Sequence, residues 1–267
     1  MKYLAILLSS LAITAHGADV VLGRLSDLQW TGTGSVRVAS FGAADVLDGL
    51  VAWWPFDEGA GTQAVCSVSG TPAIFKGSPS ASWTNGISGS SVSFNGSSAY
   101  LDAGDVFDLE TNSITISAWI YTTNALGVNK AIIGIVGKTR YAAQDGRYML
   151  DFYRSGVVWS NAASITPLGD LVANWDDRSN QWTHVCATLQ RGGSAAMYHN
   201  GIKVGSASVL AGTNYNTSNR LLIGAYNDGT GNGAQSSTFF PGRIDEVRIY
   251  NRALSSNEVF QIWSKYK

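Results

Sequence analysis

Residues Ser113 to Thr122 read SITISAWIYT, and the reading of this stretch decides the fold class. Ile114, Ile116, Ala118 and Ile120 recur at every second position, so on an extended chain they share one face. Working outward, Arg147 to Tyr153 places Tyr148, Leu150 and Phe152 on one side of a further strand. Ala131 to Val136 is a buried-type strand, and Trp182 to Leu189, Ala195 to His199, Leu221 to Ala225 and Arg243 to Tyr250 continue the series. Asn200-Gly201, between His199 and Ile202, is the strongest hairpin signal, because both turn residues tolerate positive φ. The Asn95-Gly96-Ser97-Ser98 turn predicts a second hairpin, between Ser91–Phe94 and Ala99–Asp102. Leu50 to Phe56 is apolar and aromatic, with Pro55 marking an edge strand or a strand end. Short strands separated by turns, without alternating helices, predict an all-β chain folded as a two-sheet antiparallel jelly-roll sandwich.

One segment has helical character. Ser255 and Glu258 stand at capping-box spacing, and Val259, Ile262 and Trp263 then form one apolar stripe. A short C-terminal helix docked on the sandwich follows from that pattern.

Composition agrees with a packed, turn-rich chain. Hydrophobic residues are 45% and glycines number 30, while charged residues are 14% against roughly 25% in ordinary soluble proteins. A formal net charge of −1 leaves no electrostatic footprint for nucleic acid or an anionic membrane, so nucleic acid is not an expected partner.

The first residues carry an export pattern. Lys2 precedes an apolar run from Leu4 to Ile13, and Ala15-His16-Gly17 places small residues where a signal peptidase inspects the chain. The pattern predicts a signal peptide over residues 1–17, cleaved after Gly17, and hence a secreted or cell-surface protein. Such a run is too short to cross a bilayer of about 30 Å, and no later segment has the length or apolarity to do so. Residues 18–48 read as an N-terminal extension or linker, and 49–267 as the domain. Cys66 and Cys186 are the only cysteines, and in an oxidising compartment they are either joined in one disulfide or left as two buried free thiols.

Six blocks in order resemble the laminin-G-like jelly rolls of the concanavalin A-like lectin/glucanase family. They are Trp54-Pro-Phe-Asp-Glu-Gly59, Val92-Ser-Phe-Asn-Gly96 with Tyr100-Leu101, Ile114 to Ile120, Trp182-Thr-His-Val185, Met197 to Val204, and Gly242 to Tyr250 running on to Leu254, Ser255 and Glu258. The blocks span Leu50 to Trp263. The resemblance implies exported proteins that bind carbohydrates or other extracellular partners. It also implies a structural calcium ion held partly by acidic residues of the opening and closing blocks, which here are Asp57 and Asp245. Calcium takes roughly six to eight oxygens, so backbone carbonyls must complete the set. The alternative is that Asp57 caps a turn and Asp245 pairs with Arg243 or Arg248. The chain departs from the family at Cys66, where many relatives carry an Asp, and at Asn95, where an Asp is common.

A glucanase needs paired carboxylates, and the only glutamates, Glu58, Glu110, Glu246 and Glu258, do not form the family's arrangement. No nucleophile elbow accompanies His184 or His199. The expectation is therefore a non-catalytic binding protein, with a glycan or an extracellular protein as ligand. Sugar sites use aromatic faces beside short polar side chains on loops. Trp175, Asp176 and Arg178 in one loop and Tyr226 and Asn227 in another are the candidate ligand-binding residues.

Overall fold

The structure is a computed structural model that describes residues 28–30, 36–38, 45–110, 112–122, 132–138, 148–153, 156–161, 171–174, 180–208 and 217–267. It divides into two units, Met1–Ala44 and Asp45–Lys267. In the first, β1 (Leu28–Trp30) pairs antiparallel with β2 (Val36–Val38).

The second unit is a sandwich of antiparallel strands. One sheet runs, in spatial order, β13 (Leu171–Asn174), β12 (Gly156–Asn161), β11 (Tyr148–Tyr153), β10 (Ile132–Lys138), β17 (Leu221–Ile223), β8 (Tyr100–Gly104), β5 (Pro72–Lys76) and β4 (Gln63–Val65). The other runs β16 (Ile202–Ser208), β15 (Ser194–His199), β14 (Trp182–Leu189), β9 (Ile114–Thr122), β18 (Pro241–Tyr250), β7 (Ser90–Asn95) and β6 (Ser82–Asn85), with β3 (Leu50–Trp54) also paired to β18. Ile114, Ile116, Ala118 and Ile120 of β9 all face the core between the sheets, as their alternation requires. They meet Trp54, Leu101, Ile135, Leu150, Phe152 and Val247 there.

The Asn200-Gly201 hairpin forms between β15 and β16 with φ of 49° and 75° at its two turn residues, the signature of a type I′ turn. The turn around Asn95 behaves differently. β7 and β8 do not pair with each other but lie in opposite sheets, so the expected hairpin is an arch across the core. The physical reason is the Asn95 side chain. Its Oδ1 accepts from the N–H groups of Ser97, Ser98 and Ala99 at 2.9, 2.9 and 3.0 Å, and its Nδ2 donates to Pro79 O at 3.0 Å. These bonds coil the backbone locally instead of letting it continue a ladder.

Strand β18 is the hub of its sheet. Pro241–Ile244 pair with β7 and Val247–Tyr250 with β3 on one side, while β9 runs along the other. The handover falls at a register shift between Asp245 and Arg248, where Glu246 has φ of 51°. An extra residue there bends the strand and redirects its side chains.

Helix α1 (Ser256–Ser264) has the expected capping box, with Ser255 and Glu258 each bonding the other's backbone N–H. It buries Val259 and Ile262 on the outer face of the β9 sheet, beside Cys186, Ala196, Tyr198 and Tyr250. The unit begins at Asp45, four residues before the boundary that the sequence suggests at Gly49. Val46 joins that outer cluster and accepts from Tyr250 OH at 3.1 Å, and Lys265 binds Asp45 at 2.7 Å. The two cysteines are free thiols and do not form the disulfide considered above. Cys66 packs in the core between the sheets, whereas Cys186 lies in the cluster under the helix, so they occupy different hydrophobic clusters.

His184 of β14 is fully buried, and neither ring nitrogen has a hydrogen-bond partner among the described residues. Burial, with Arg248 and His199 adding to it, pushes the imidazole down from 6.5 to about 3. Below about pH 6.5 the unfolded chain therefore binds a proton that the folded chain refuses. This stability is present above that pH and is lost as pH falls towards the folded value, by about 1.4 kcal/mol per unit. Asp245, whose pKa is raised, works in the opposite sense over the same range, so the test is the difference between chains. The urea midpoint of His184→Leu relative to native is expected to rise as pH falls between about 7 and 5.

Candidate functional site

Asp57 and Asp245 lie far apart in sequence and converge on one turn, the Gly86–Ser90 connection between β6 and β7. Asp57 follows β3 and accepts from Ser90 N at 3.2 Å through Oδ1. Asp245 stands at the β18 irregularity and accepts from Ile87 N and Ser88 N at 2.9 and 3.4 Å through Oδ2, and from Glu246 N at 2.8 Å through Oδ1. The turn owes its close approach to its glycines. A Cβ on Gly89 would stand 2.0 Å from Asp57 Oδ1. One on Gly86 would stand 2.3 Å from Asp245 Oδ2, 2.3 Å from Ser90 O and 2.7 Å from Ser88 O. Three oxygens thus crowd one small space that no side chain can enter.

The electrostatics of Asp245 are those of an anion short of a counter-charge. It is buried and has no ion pair among the described residues. Burial first, and the neighbouring Glu246 carboxylate second, push its pKa up to about 8, against the pull of the Ser88, Ile87 and Glu246 N–H groups. The expected alternative of a pair with Arg243 or Arg248 is not what forms. Arg248 Nη2 binds Glu246 Oε2 at 2.9 Å, and Arg243 lies over the Tyr121 ring at 5.0 Å. Among the described residues no group of three or more His, Cys, Asp or Glu could hold a metal. Any cation here would depend on two carboxylates, Asp57 and Asp245, with carbonyls such as those of Ser88 and Ser90. An all-oxygen set of that kind suits a hard cation such as calcium.

Glu246 points elsewhere. Its Oε2 also accepts from Trp53 Nε1 at 2.7 Å, so the adjacent carboxylates Asp245 and Glu246 serve separate structures. Adjacent strand residues already point to opposite faces, and the register shift that follows Asp245 adds to this a change of partner strand.

The candidate ligand residues fare unequally. Trp175, Asp176 and Arg178 lie outside the described residues. Tyr226 and Asn227 are corrected: both are buried and are not available to stack on or bind a sugar. Asn227 Nδ2 donates to Arg220 O at 2.8 Å and to Gly231 O at 3.3 Å, which anchors the following loop. Asp228 closes that loop on itself by accepting from Thr230 N and Oγ1. A polar, turn-rich composition marks both binding loops and self-satisfied loops, and only the hydrogen-bond partners separate them.

Sequence reasoning also passes over a groove on the outer face of the β9 sheet, where β14, β15 and β16 meet the turn into α1. Its volume is about 460 Å³, and Thr188, Ser194, Ala196, Lys203, Ser206 and Ser208 contribute to its lining. The alternating small residues of β16 are its only trace in the sequence.

With this geometry the chain can be placed among known proteins. A family profile described as the concanavalin A-like lectin/glucanases superfamily matches residues 95–260, and the chain belongs to that superfamily. No curated protein matches its sequence. Among solved structures it is similar to the binding domain of Paraclostridial Mosquitocidal Protein 1, at 18% identity and a TM-score of 0.63, covering 82% of this chain and 52% of that one. It is similar to domain 4 of AbnA, an extracellular arabinanase from Geobacillus stearothermophilus, in complex with arabinotriose, at 19% identity and a TM-score of 0.51, covering 80% and 97%. The botulinum neurotoxin serotype G binding domain matches at 17% identity and a TM-score of 0.61, covering 80% and 50%. The chain spans about half the length of the two toxin binding domains. At these identities the likeness is one of fold.

Gly86→Ala is expected to destabilise the chain by about 1–3 kcal/mol, because the new methyl meets three oxygens and must displace the turn. Chemical denaturation of the variant beside the native chain measures this. A value within about 0.5 kcal/mol of native would show that the turn is loose enough to move aside.

Proposed function

We propose that this chain is an exported, non-catalytic carbohydrate-binding protein whose Gly86–Ser90 turn is fastened by calcium. The observation that carries the binding reading is the similarity in fold, over 80% of this chain, to an arabinanase domain in complex with arabinotriose. The disposition of the carboxylates supports it. Those of Asp102, Asp105, Asp108, Glu246 and Glu258 are each engaged by a Lys or Arg of the same chain. Asp57, Glu58, Asp228 and Asp245 have no ion pair among the described residues but accept backbone N–H groups, whereas glycosidic cleavage needs two carboxyl groups free to face the scissile bond. The signal-peptide pattern of residues 1–17 supports export, and those residues lie outside the described ones. Among the described residues no helix is long and apolar enough to cross a membrane.

Asp57, Asp245 and the Ser88 and Ser90 carbonyls would hold the calcium. The ion would supply the counter-charge that Asp245 lacks and would pin β3, β18 and the β6–β7 turn together. Thermal melts are expected to rise by several degrees with about 1 mM calcium over chelator, and Asp245→Asn is expected to remove the difference. Equal melting temperatures in both conditions would overturn the calcium assignment.

Binding itself is tested with the purified chain on a panel of immobilised polysaccharides that includes arabinan, xylan, cellulose and pectin. Retention on at least one polymer, with no new reducing ends, is the expected result. Accumulating reducing ends would make the chain an enzyme. Retention on none would move the reading to adhesion between proteins, for which Ile202 and Val204, 65% and 44% exposed on the edge strand β16, offer apolar surface.

A further inference from the structure

The groove beside α1 has a floor of three strands and a wall of one turn. Thr188, Ala196 and Ser206 lie in one row across β14, β15 and β16. Ser208 opposes Ser194 in the next row, and Lys203 opposes Tyr198 beyond a register shift on the other side. All of these side chains face outward, on the side where α1 packs. The hollow exists because the floor is built from small residues where the sheet runs out from under the helix. Tyr198, whose hydroxyl lies 3.1 Å from Ser256 Oγ, ties the floor to the wall.

Three properties define what this groove can hold. Its volume of about 460 Å³ falls within the roughly 300–1,000 Å³ range of ligand sites. Its lining is dominated by hydroxyl and amide groups and contains no carboxylate among the described residues. It also holds one cation, Lys203, which is exposed and has no ion pair among the described residues. The side chains of Gln190, Ser194, Ser206 and Ser208 likewise have no hydrogen-bond partner among the described residues. The helix N-terminus contributes no free charge, because Glu258 already caps it and is held by Arg252 at 2.6 Å. A cationic ligand would meet Lys203 without a counter-charge, and an apolar one would leave a polar floor unpaired.

We propose that this groove binds an acidic oligosaccharide, with a uronate carboxylate on Lys203 and sugar hydroxyls on Gln190, Ser194, Ser206 and Ser208. This rests on the carbohydrate-binding reading above and names the site and the ligand class within it. A single ammonium ion on a flexible stem contacts a carboxylate as a point charge, and the surrounding hydroxyls set the register of the sugars.

The test is calorimetric titration of the full chain with trigalacturonic acid and with its fully methyl-esterified form, which keeps the hydroxyls and removes the charges. The acid is expected to bind more tightly than the ester. Lys203→Gln is expected to weaken the acid about fivefold and to leave the ester unchanged, because the lost contact is one partly exposed ion pair. Ser206→Trp fills the floor from an exposed position and is expected to abolish both, with the melting temperature confirming that it folds. Ser208→Trp serves the same purpose if the first variant does not fold. Native-like binding in Lys203→Gln and in a folded Trp variant would overturn the groove assignment. So would failure of the native chain to bind either probe. If the native chain is retained on a polymer of the panel and the groove variants are retained equally, the groove falls and carbohydrate binding stands. If no polymer and no probe binds, both fall.

Discussion

The irregularity in β18 between Asp245 and Arg248 is the constraint on which the rest of this sandwich depends. A regular strand would place Asp245 and Glu246 on opposite faces and keep one neighbour along each edge. The shift lets one strand serve β7 with its first half and β3 with its second, so three separate parts of the chain close on it. It also divides three neighbouring polar groups between two places, Asp245 at one and the paired Glu246 and Arg248 at the other. Asp245 meets the Gly86–Ser90 turn, Glu246 meets Trp53, and Arg248 lies 4.5 Å over the Trp53 ring and bonds Tyr266 at 2.9 Å. Arg248 is almost wholly buried, so its pairing with Glu246 is an obligation of the fold more than a source of net stability. The aromatic rings that shield it, Trp53 and Tyr266, bring the start of the domain and the end of the chain to the same point.

Many of the described charged side chains pair within the chain. Lys138 is fully buried and reaches Asp105 and Asp108 at 2.6 and 2.7 Å, which holds the segment after β8 against β10. Arg220 binds Asp102, and Arg252 reaches both Asp48 and Glu258. Hydrogen bonds from Arg252 and from Ser255 hold the Glu258 carboxyl down to about 2, so the helix cap persists far into acid. Lys203, in its hydroxyl-lined hollow, is among the described cations that have no ion pair. Asp245 is the complementary case, a fully buried carboxylate that has no ion pair among the described residues. The two mark different roles: one sits at the surface and the other is buried at a strand junction.

The sequence determined what depends on neighbours one to four residues away. The β9 alternation, the Asn200-Gly201 turn and the Ser255–Glu258 cap each fold as their local pattern demands, because side-chain period, positive φ and capping bonds are short-range properties. The ordered blocks around them also carried the family, which needs only order and not geometry. Tertiary structure alone decided the rest. Asn95 turns a predicted hairpin into an arch because its three acceptor bonds outweigh continuation of the ladder. Cys66 and Cys186 lie in different clusters because strand register assigns one to the core between the sheets and the other to the layer under α1. Tyr226 and Asn227 are buried, although their loop composition matches an exposed site, because Asn227 finds its partners in its own loop and the residue preceding β17. Asp57 and Asp245 meet on one turn only after β3, β7 and β18 have paired. Long-range register sets which faces and loops coincide, and no local pattern encodes it.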